Sequence, residues 1–298
     1  MSQSILTPDQ VAKLGNLDVI ARLVVEGFLV GLHRSPYHGF SVEFAEYRQY
    51  IPGEPATNID WRVFGKSDRY YTKIYAEETN LRATILVDAS SSMSFKSDEN
   101  TTSKIEYARL LAASLTYLLL KQNDAVGLEL FSDKQLASVP ARAVRKQLFQ
   151  VLKELDYIPE PKSTTSIGPV LHKVAEKLPR RGLIILLSDL MDDPDEIMSG
   201  LKHFRYRGHE VVIFHLLNPQ EIEFDYRGEA RFEDLETGND MKIDPTHLRT
   251  SYREKFEQWR TGLREECRGL KIDFVDMTVD TPFDRALMAY LRKRARMR

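Results

Sequence analysis

Asp88-Ala89-Ser90-Ser91-Ser92 sets one carboxylate and two hydroxyls at alternate positions of a short segment. These are hard oxygen donors. They suit a small hard cation that keeps several of its waters, such as Mg²⁺. Two other pieces carry related chemistry: Thr164-Thr165-Ser166-Ile167-Gly168, ahead of a helical stretch, and Ser188-Asp189, at the end of an apolar run. If the strands ending at Asp88 and Asp189 are neighbours, Thr165 and Asp189 meet Asp88, Ser90 and Ser92 at one sheet edge. Each residue alone has an ordinary use. Asp88 could close a turn, and Thr164 or Thr165 could cap a helix.

The elements that must position these residues alternate. Thr84 to Asp88 is a short apolar run that ends in the polar cluster. After a polar loop, Ser103-x-x-Glu106 forms a capping box for a helix with Ile105, Ala108, Leu111, Ala112, Leu115 and Leu119 on one side. Strand candidates follow at Ala125 to Phe131, Gly182 to Asp189, Glu210 to Leu217 and Ile272 to Met277. Helices are expected at 144–155, 167–178, from Asp193-Pro194, at 246–268 and from Phe283 onward. This alternation predicts an α/β fold: a mainly parallel sheet with helices on both faces. In such sheets ligands bind beyond the carboxyl ends of the strands, which is where Asp88 and Asp189 stand.

Upstream, helices are expected from Thr7-Pro8 and from a cap at Asp18 to near Gly31. Residues 34–80 are rich in aromatics, Arg, Gly and Pro, with strand-like pieces at Phe40 to Phe44 and Tyr70 to Tyr75 and turns at Pro52-Gly53 and Gly65. The connection 219–245 is long enough to need its own hairpin, with a turn at Gly238-Asn239. The expected organisation is a helical segment at 1–33 and a small β-rich subdomain at 34–80, which the hairpin could join. The main domain then spans 81–281, and a basic helix spans 282–298.

Composition excludes several classes. The 298 residues carry 42 Lys+Arg against 44 Asp+Glu, a net charge of −2, which argues against a general nucleic-acid binder. A single cysteine, Cys267, rules out an internal disulfide framework and a Cys-rich zinc site, and it suits a reducing compartment. No phosphate-binding Gly-x-x-x-x-Gly-Lys loop and no Gly-x-Ser-x-Gly elbow occurs. The apolar run Leu23 to Leu32 is too short for a membrane span and contains Glu26; the N-terminus lacks the pattern of a secretory signal. The expected location is cytoplasmic. Charge is unevenly spread: residues 219–245 hold nine acidic and three basic residues, and 282–298 hold six basic and one acidic.

The Asp-x-Ser-x-Ser motif, the later Thr and the later Asp resemble the metal-ion-dependent adhesion site of von Willebrand factor A domains. All five positions occur in the right order, and aligning Thr165-Ser-Ile-Gly168 with that family's Thr-Asn-Ile-Gly-like stretch selects Thr165 over Thr164. The resemblance implies a Rossmann-like A domain at 81–281. It implies one site for Mg²⁺ (or Mn²⁺ or Ca²⁺) with Ser90, Ser92 and Thr165 as hydroxyl ligands and Asp88 and Asp189 acting mainly through water. The remaining position would go to an Asp or Glu of a protein partner.

A second signature precedes the motif: Gly31-Leu-His-Arg-Ser-Pro36, Gly39-Phe-Ser-Val-Glu-Phe44, Arg48-Gln-Tyr-Ile-Pro-Gly53, Asn58-Ile-Asp-Trp-Arg62 and Glu77-Glu-Thr-Asn80. With Asp280-Thr-Pro282 and Tyr290-Leu-Arg-Lys-Arg294, these segments resemble the DUF58 family of bacterial proteins over nearly the whole chain. Glu54 stands where that family often has Asp, and Ala56-Thr57 replaces a stretch that is often more polar. Asp60, Trp61 and Arg62, with Arg48 and Glu43 or Glu46, could pin the β-rich unit through buried pairs or dock a partner. Relatives in DUF58 commonly occur beside MoxR-type AAA+ ATPases and membrane-anchored A-domain proteins. The resemblance therefore implies a non-enzymatic, metal-dependent adaptor for such an ATPase, in complex assembly or envelope stress. Two alternatives remain: a structural scaffold with a degenerate metal site, and a metal-dependent phosphoester hydrolase using Asp88 as nucleophile. The second lacks any evident general acid or base.

Overall fold

A computed structural model describes residues 8–12, 15–34, 46–50, 64–65, 69–74, 81–159, 167–179, 181–226, 230–233, 240–243 and 245–296. In chain order the elements are α1 (Pro8–Ala12), α2 (Leu17–Arg34), β1 (Glu46–Gln49), β2 (Tyr71–Ile74), β3 (Arg82–Asp88), a 3₁₀ turn (Ser91–Ser94), α3 (Lys104–Lys121), β4 (Ala125–Phe131), β5 (Gln135–Arg142), α4 (Lys146–Asp156), α5 (Ile167–Lys177), β6 (Leu183–Ser188), α6 (Pro194–Tyr206), β7 (Glu210–Leu217), α7 (Pro219–Glu223), β8 (Ala230–Glu233), β9 (Asp240–Ile243), α8 (Pro245–Gly269), β10 (Asp273–Thr278) and α9 (Phe283–Arg296).

Six strands form one sheet in the order β10-β7-β6-β3-β4-β5. All neighbours are parallel except β4 and β5. The inner strands are apolar on both faces because helices cover both faces: every residue of β6, Leu-Ile-Ile-Leu-Leu-Ser, is buried. One core layer lies beneath α2, α3, α4 and α9 and includes Val87, Leu111, Leu128, Leu187 and Tyr290. The other lies beneath α5, α6 and α8 and includes Leu86, Leu171, Ile184, Phe204 and Cys267. The fold is thus the expected α/β arrangement.

Within the second layer, α5 and α6 meet backbone to backbone. A Cβ built on Gly168 would stand 2.8 Å from the Glu196 carbonyl oxygen, and one on Gly200 would stand 2.7 Å from Leu171 Cβ. Any larger residue at either position forces the helices apart.

Local signals explain the boundaries. Ser103 and Glu106 form the capping box of α3, and Asp193 accepts from the Asp195 and Glu196 amides at the start of α6. The cap of α2 is Asn16, which accepts from the amides of Asp18 and Val19, and not Asp18 as expected; Asp18 instead pairs with Arg22 one turn on. Residues 219–245 do contain an antiparallel pair, β8–β9, which among the described residues forms its own two-stranded sheet. The expected strand at 40–44 and the Asp60-Trp61-Arg62 cluster lie outside the described residues. No helix of the described residues is long and apolar enough to cross a membrane.

Candidate functional site

β3 and β6 are adjacent in the sheet, with Val87 opposite Leu187. Asp88 and Ser188-Asp189 therefore emerge side by side at the carboxyl edge. Both aspartates are 0% exposed. Asp88 Oδ1 accepts the Ser90 amide at 2.9 Å, and Asp88 Oδ2 accepts the Ser188 hydroxyl at 2.6 Å. These bonds aim the carboxylate and fold the following turn. The Ser90 and Ser92 hydroxyls then face each other at 3.0 Å. Ser90 is buried and Ser92 half-buried, so the turn opens on the Ser92 side.

The structure brings Asp88, Ser90, Ser92 and Asp189 to one edge. Thr165 lies outside the described residues. Just beyond it, the Ile167 amide donates to Asp192 Oδ2 at 2.6 Å, which anchors the start of α5 near the β6 end.

Three participants were not anticipated: Lys104, Glu221 and Asn218. Lys104 is fully buried at the first position of α3, and its ammonium donates to Asp189 Oδ2 at 2.7 Å and to Glu221 Oε1. A cation at a helix N-terminus opposes the helix dipole. Its placement there is explained by the two carboxylates it bridges. Glu221 lies in α7, whose cap residue Asn218 is also buried. Glu221 Oε2 accepts the Asn218 amide at 2.7 Å, while Asn218 Oδ1 accepts the Ser97 hydroxyl. The signal for Glu221 was present: Asn218-Pro-Gln-Glu221 has the spacing of a capping box.

A further link runs sideways. His215 on β7 contacts the Asp189 carbonyl oxygen through Nε2 at 3.0 Å and Asp276 on β10 through Nδ1 at 3.2 Å. Asp276 also accepts from Arg264 of α8 at 2.7 Å. Burial pushes the Asp276 carboxyl up, but its bonds to His215 and Arg264 outweigh that and bring it down to about 2.

Electrostatics at the edge are uneven. Burial and the neighbouring charge of Asp189 push the Asp88 carboxyl up to about 7, against the pull of the Ser188 and Ser90 bonds. Burial would lower the Lys104 ammonium, yet Asp189 and Glu221 raise it overall. Burial raises Glu221 despite Lys104. Asp189 and Glu221 share the Lys104 ammonium, while Asp88 is held by the Ser90 amide and the Ser188 hydroxyl. The Asp88 carboxyl and the two converging hydroxyls are hard oxygen donors of the kind a divalent cation takes. Among the described residues no three His, Cys, Asp or Glu side chains cluster as a metal site. The candidate donors are two carboxylates and two hydroxyls.

Comparison with known proteins now places the chain. Residues 46–265 match the family described as "Protein of unknown function DUF58". The chain belongs to the DUF58 family. Among similar sequences, uncharacterised proteins of Mycobacterium tuberculosis (Rv1480) and Mycobacterium bovis (Mb1516) are 23% identical over 293 residues, covering 97% of this chain and 91% of theirs. Similar solved structures include BatB from Bacteroides thetaiotaomicron (16% identity, TM-score 0.47, 72% of this DUF58 chain and 99% of that one). An aerotolerance-related membrane protein from Bacteroides fragilis matches at 17% identity and TM-score 0.47, again over 72% of this chain and 99% of that one. The SpRpn10 VWA domain matches at 10% identity and TM-score 0.37, over 70% and 94%.

Proposed function

We propose that this DUF58 protein is a non-enzymatic, divalent-metal-dependent protein-binding adaptor. The observation that carries the proposal is the pairing of Asp88 and Asp189, both buried, with the Ser90 and Ser92 hydroxyls 3.0 Å apart beside them. Asp88, Ser90, Ser92, Thr165 and Asp189 would hold the ion, Mg²⁺ first and Mn²⁺ or Ca²⁺ as substitutes. When bound, the cation supplies one directional coordination bond to a partner's Asp or Glu. The chain's own residues do the rest. Ser188 and the Ser90 amide hold Asp88 in place, and Lys104 holds Asp189. The partner in view is a MoxR-type AAA+ ATPase, with membrane-anchored A-domain proteins as further candidates, in complex assembly or envelope stress.

The first test is calorimetric titration of Mg²⁺ and Mn²⁺ into wild type and Asp88→Ala, with circular dichroism to check the fold. Saturable heat in wild type that vanishes in the variant is the expected result. Equal heats in both would overturn the metal assignment. Capture of a purified MoxR-type ATPase in Mg²⁺ against chelator then tests the partner; equal capture in both would overturn the adaptor mechanism.

A second reading has its own support: Lys104 already neutralises Asp189, so the edge could be a closed structural joint. That reading expects no saturable heat from either metal.

A further inference from the structure

The two edges of the sheet are finished differently. At one end, β5 carries Pro140, and its pairing with β4 slips at two places. Proline and bulges are common ways of blunting an edge against further strands. At the other end, β10 pairs with β7 in unbroken register from Asp273 opposite Val212 to Thr278 opposite Leu217, and it contains no proline. Among the described residues no strand covers its outer side.

This open edge lies between two helices on opposite faces. Phe274 packs toward the layer under α8, and Val275 toward the layer under α9; both stay half-exposed because the sheet stops there. An open hollow of about 710 Å³ adjoins Phe274 on the α8 side, and one of about 480 Å³ adjoins Val275, Met288 and Ala289 on the α9 side. Both walls are basic. The nearby acids are satisfied within the chain: Glu210 by Arg205 and Lys293, Asp273 by Lys293, and Asp276 by Arg264. Arg268 and Lys271 on one wall and Arg285 and Arg292 on the other are exposed. None of these four makes an ion pair among the described residues.

We propose that the outer edge of β10 accepts an extended, acidic segment of a partner protein as an added strand. The outward main-chain groups of Phe274 and Asp276 offer donors and acceptors, which a peptide can match and a nucleic acid or lipid headgroup cannot; those of Thr278 are already taken by Thr281. Strand addition sends alternate side chains to opposite faces, so an acidic segment meets cations on both walls. Apolar residues at its centre would sit against Phe274 and Val275. This surface is separate from the Asp88 edge, and the proposal does not require metal there.

The test is fluorescence anisotropy with the full chain and a labelled peptide, Glu-Asp-Val-Thr-Val-Asp-Glu. Its companions are the same peptide with alternate amides N-methylated, and a version with every acid replaced by Lys. The acidic peptide is expected to bind, and the N-methylated form about tenfold or more weakly, since it loses alternate main-chain bonds. The Lys version is expected not to bind. Combined Arg268→Glu, Lys271→Glu, Arg285→Glu and Arg292→Glu should cost at least about tenfold. Circular dichroism checks the fold of that variant, and the peptide comparison decides if it fails to fold. Equal binding of the N-methylated peptide would overturn the proposal and leave a simple polyanion patch. So would binding of heparin or phosphatidylserine vesicles without binding of the acidic peptide, or absence of peptide binding at millimolar concentration.

Discussion

Replacing Lys104 with Met tests the charge arrangement most directly. Methionine keeps most of the side-chain length and removes the ammonium. Asp189 and Glu221 then lose the cation between them, in a place where Asp189 is 0% exposed. At 2.7 Å and an effective dielectric of 20, the Lys104–Asp189 attraction alone is about 6 kcal/mol, but the cost of burying the ammonium takes back much of it. Removing one partner of a buried pair costs about 3–5 kcal/mol net. In a chain of this size that lowers the melting temperature by on the order of 10 °C. The assay is thermal melting at pH 8 in chelator and in Mg²⁺. If the edge also takes a divalent ion, saturating Mg²⁺ at a hundred times its dissociation constant returns about 2.7 kcal/mol. The gain should be larger in Lys104→Met than in wild type, because the competing ammonium is gone. A variant that melts within about 2 °C of wild type in chelator would refute the reasoning, since that corresponds to under about 1 kcal/mol.

Three further outcomes follow from other parts of the molecule. Asp276 is held down at about 2, so its stabilisation is complete above the ordinary carboxylate range near 4 and is lost as pH falls toward 2. Urea melts should show wild type losing about 1 kcal/mol more than Asp276→Asn between pH 4 and 2, the full shift being discounted because the carboxyl is partly exposed to solvent; parallel curves would exclude this role. Gly127→Ala should destabilise by about 1–3 kcal/mol, because the new Cβ would stand 2.7 Å from the Val139 carbonyl oxygen and 2.8 Å from the Ala141 amide; an unchanged urea midpoint would contradict that contact. The Cys267 thiol is buried and pushed up to about 12 by burial and by Glu266, so it should resist a thiol reagent in the native state and react on unfolding. Fast native labelling would refute its burial.

The α/β architecture was legible because the inner strands are mainly apolar runs bounded by polar caps, most clearly Leu183–Ser188. Asp88, Ser90, Ser92 and Asp189 were legible because three are local in sequence and the fourth ends another such run. β5 escaped notice because it is a half-exposed edge with a proline inside, and neither alternation nor a long apolar run marks it. Lys104 escaped for a different reason. Its partners lie 85 and 117 residues away, and only the strand order brings them together. Its position against the dipole of α3 was the one local anomaly that pointed to a distant carboxylate.

The glycine contacts between α5 and α6 make the carboxyl edge mechanically lopsided. On one side, the start of α5 is braced: Gly168 and Gly200 leave no slack between the helices, and Ile167 is tied to Asp192. On the other, the short helix α7 follows directly from β7 through its cap Asn218 and is tied further by the Lys104–Glu221 bridge and the Ser97–Asn218 bond. A substitution that opens the Gly168 and Gly200 contacts therefore shifts the start of α5 relative to the β6 end, whereas α7, continuous with β7, keeps its place.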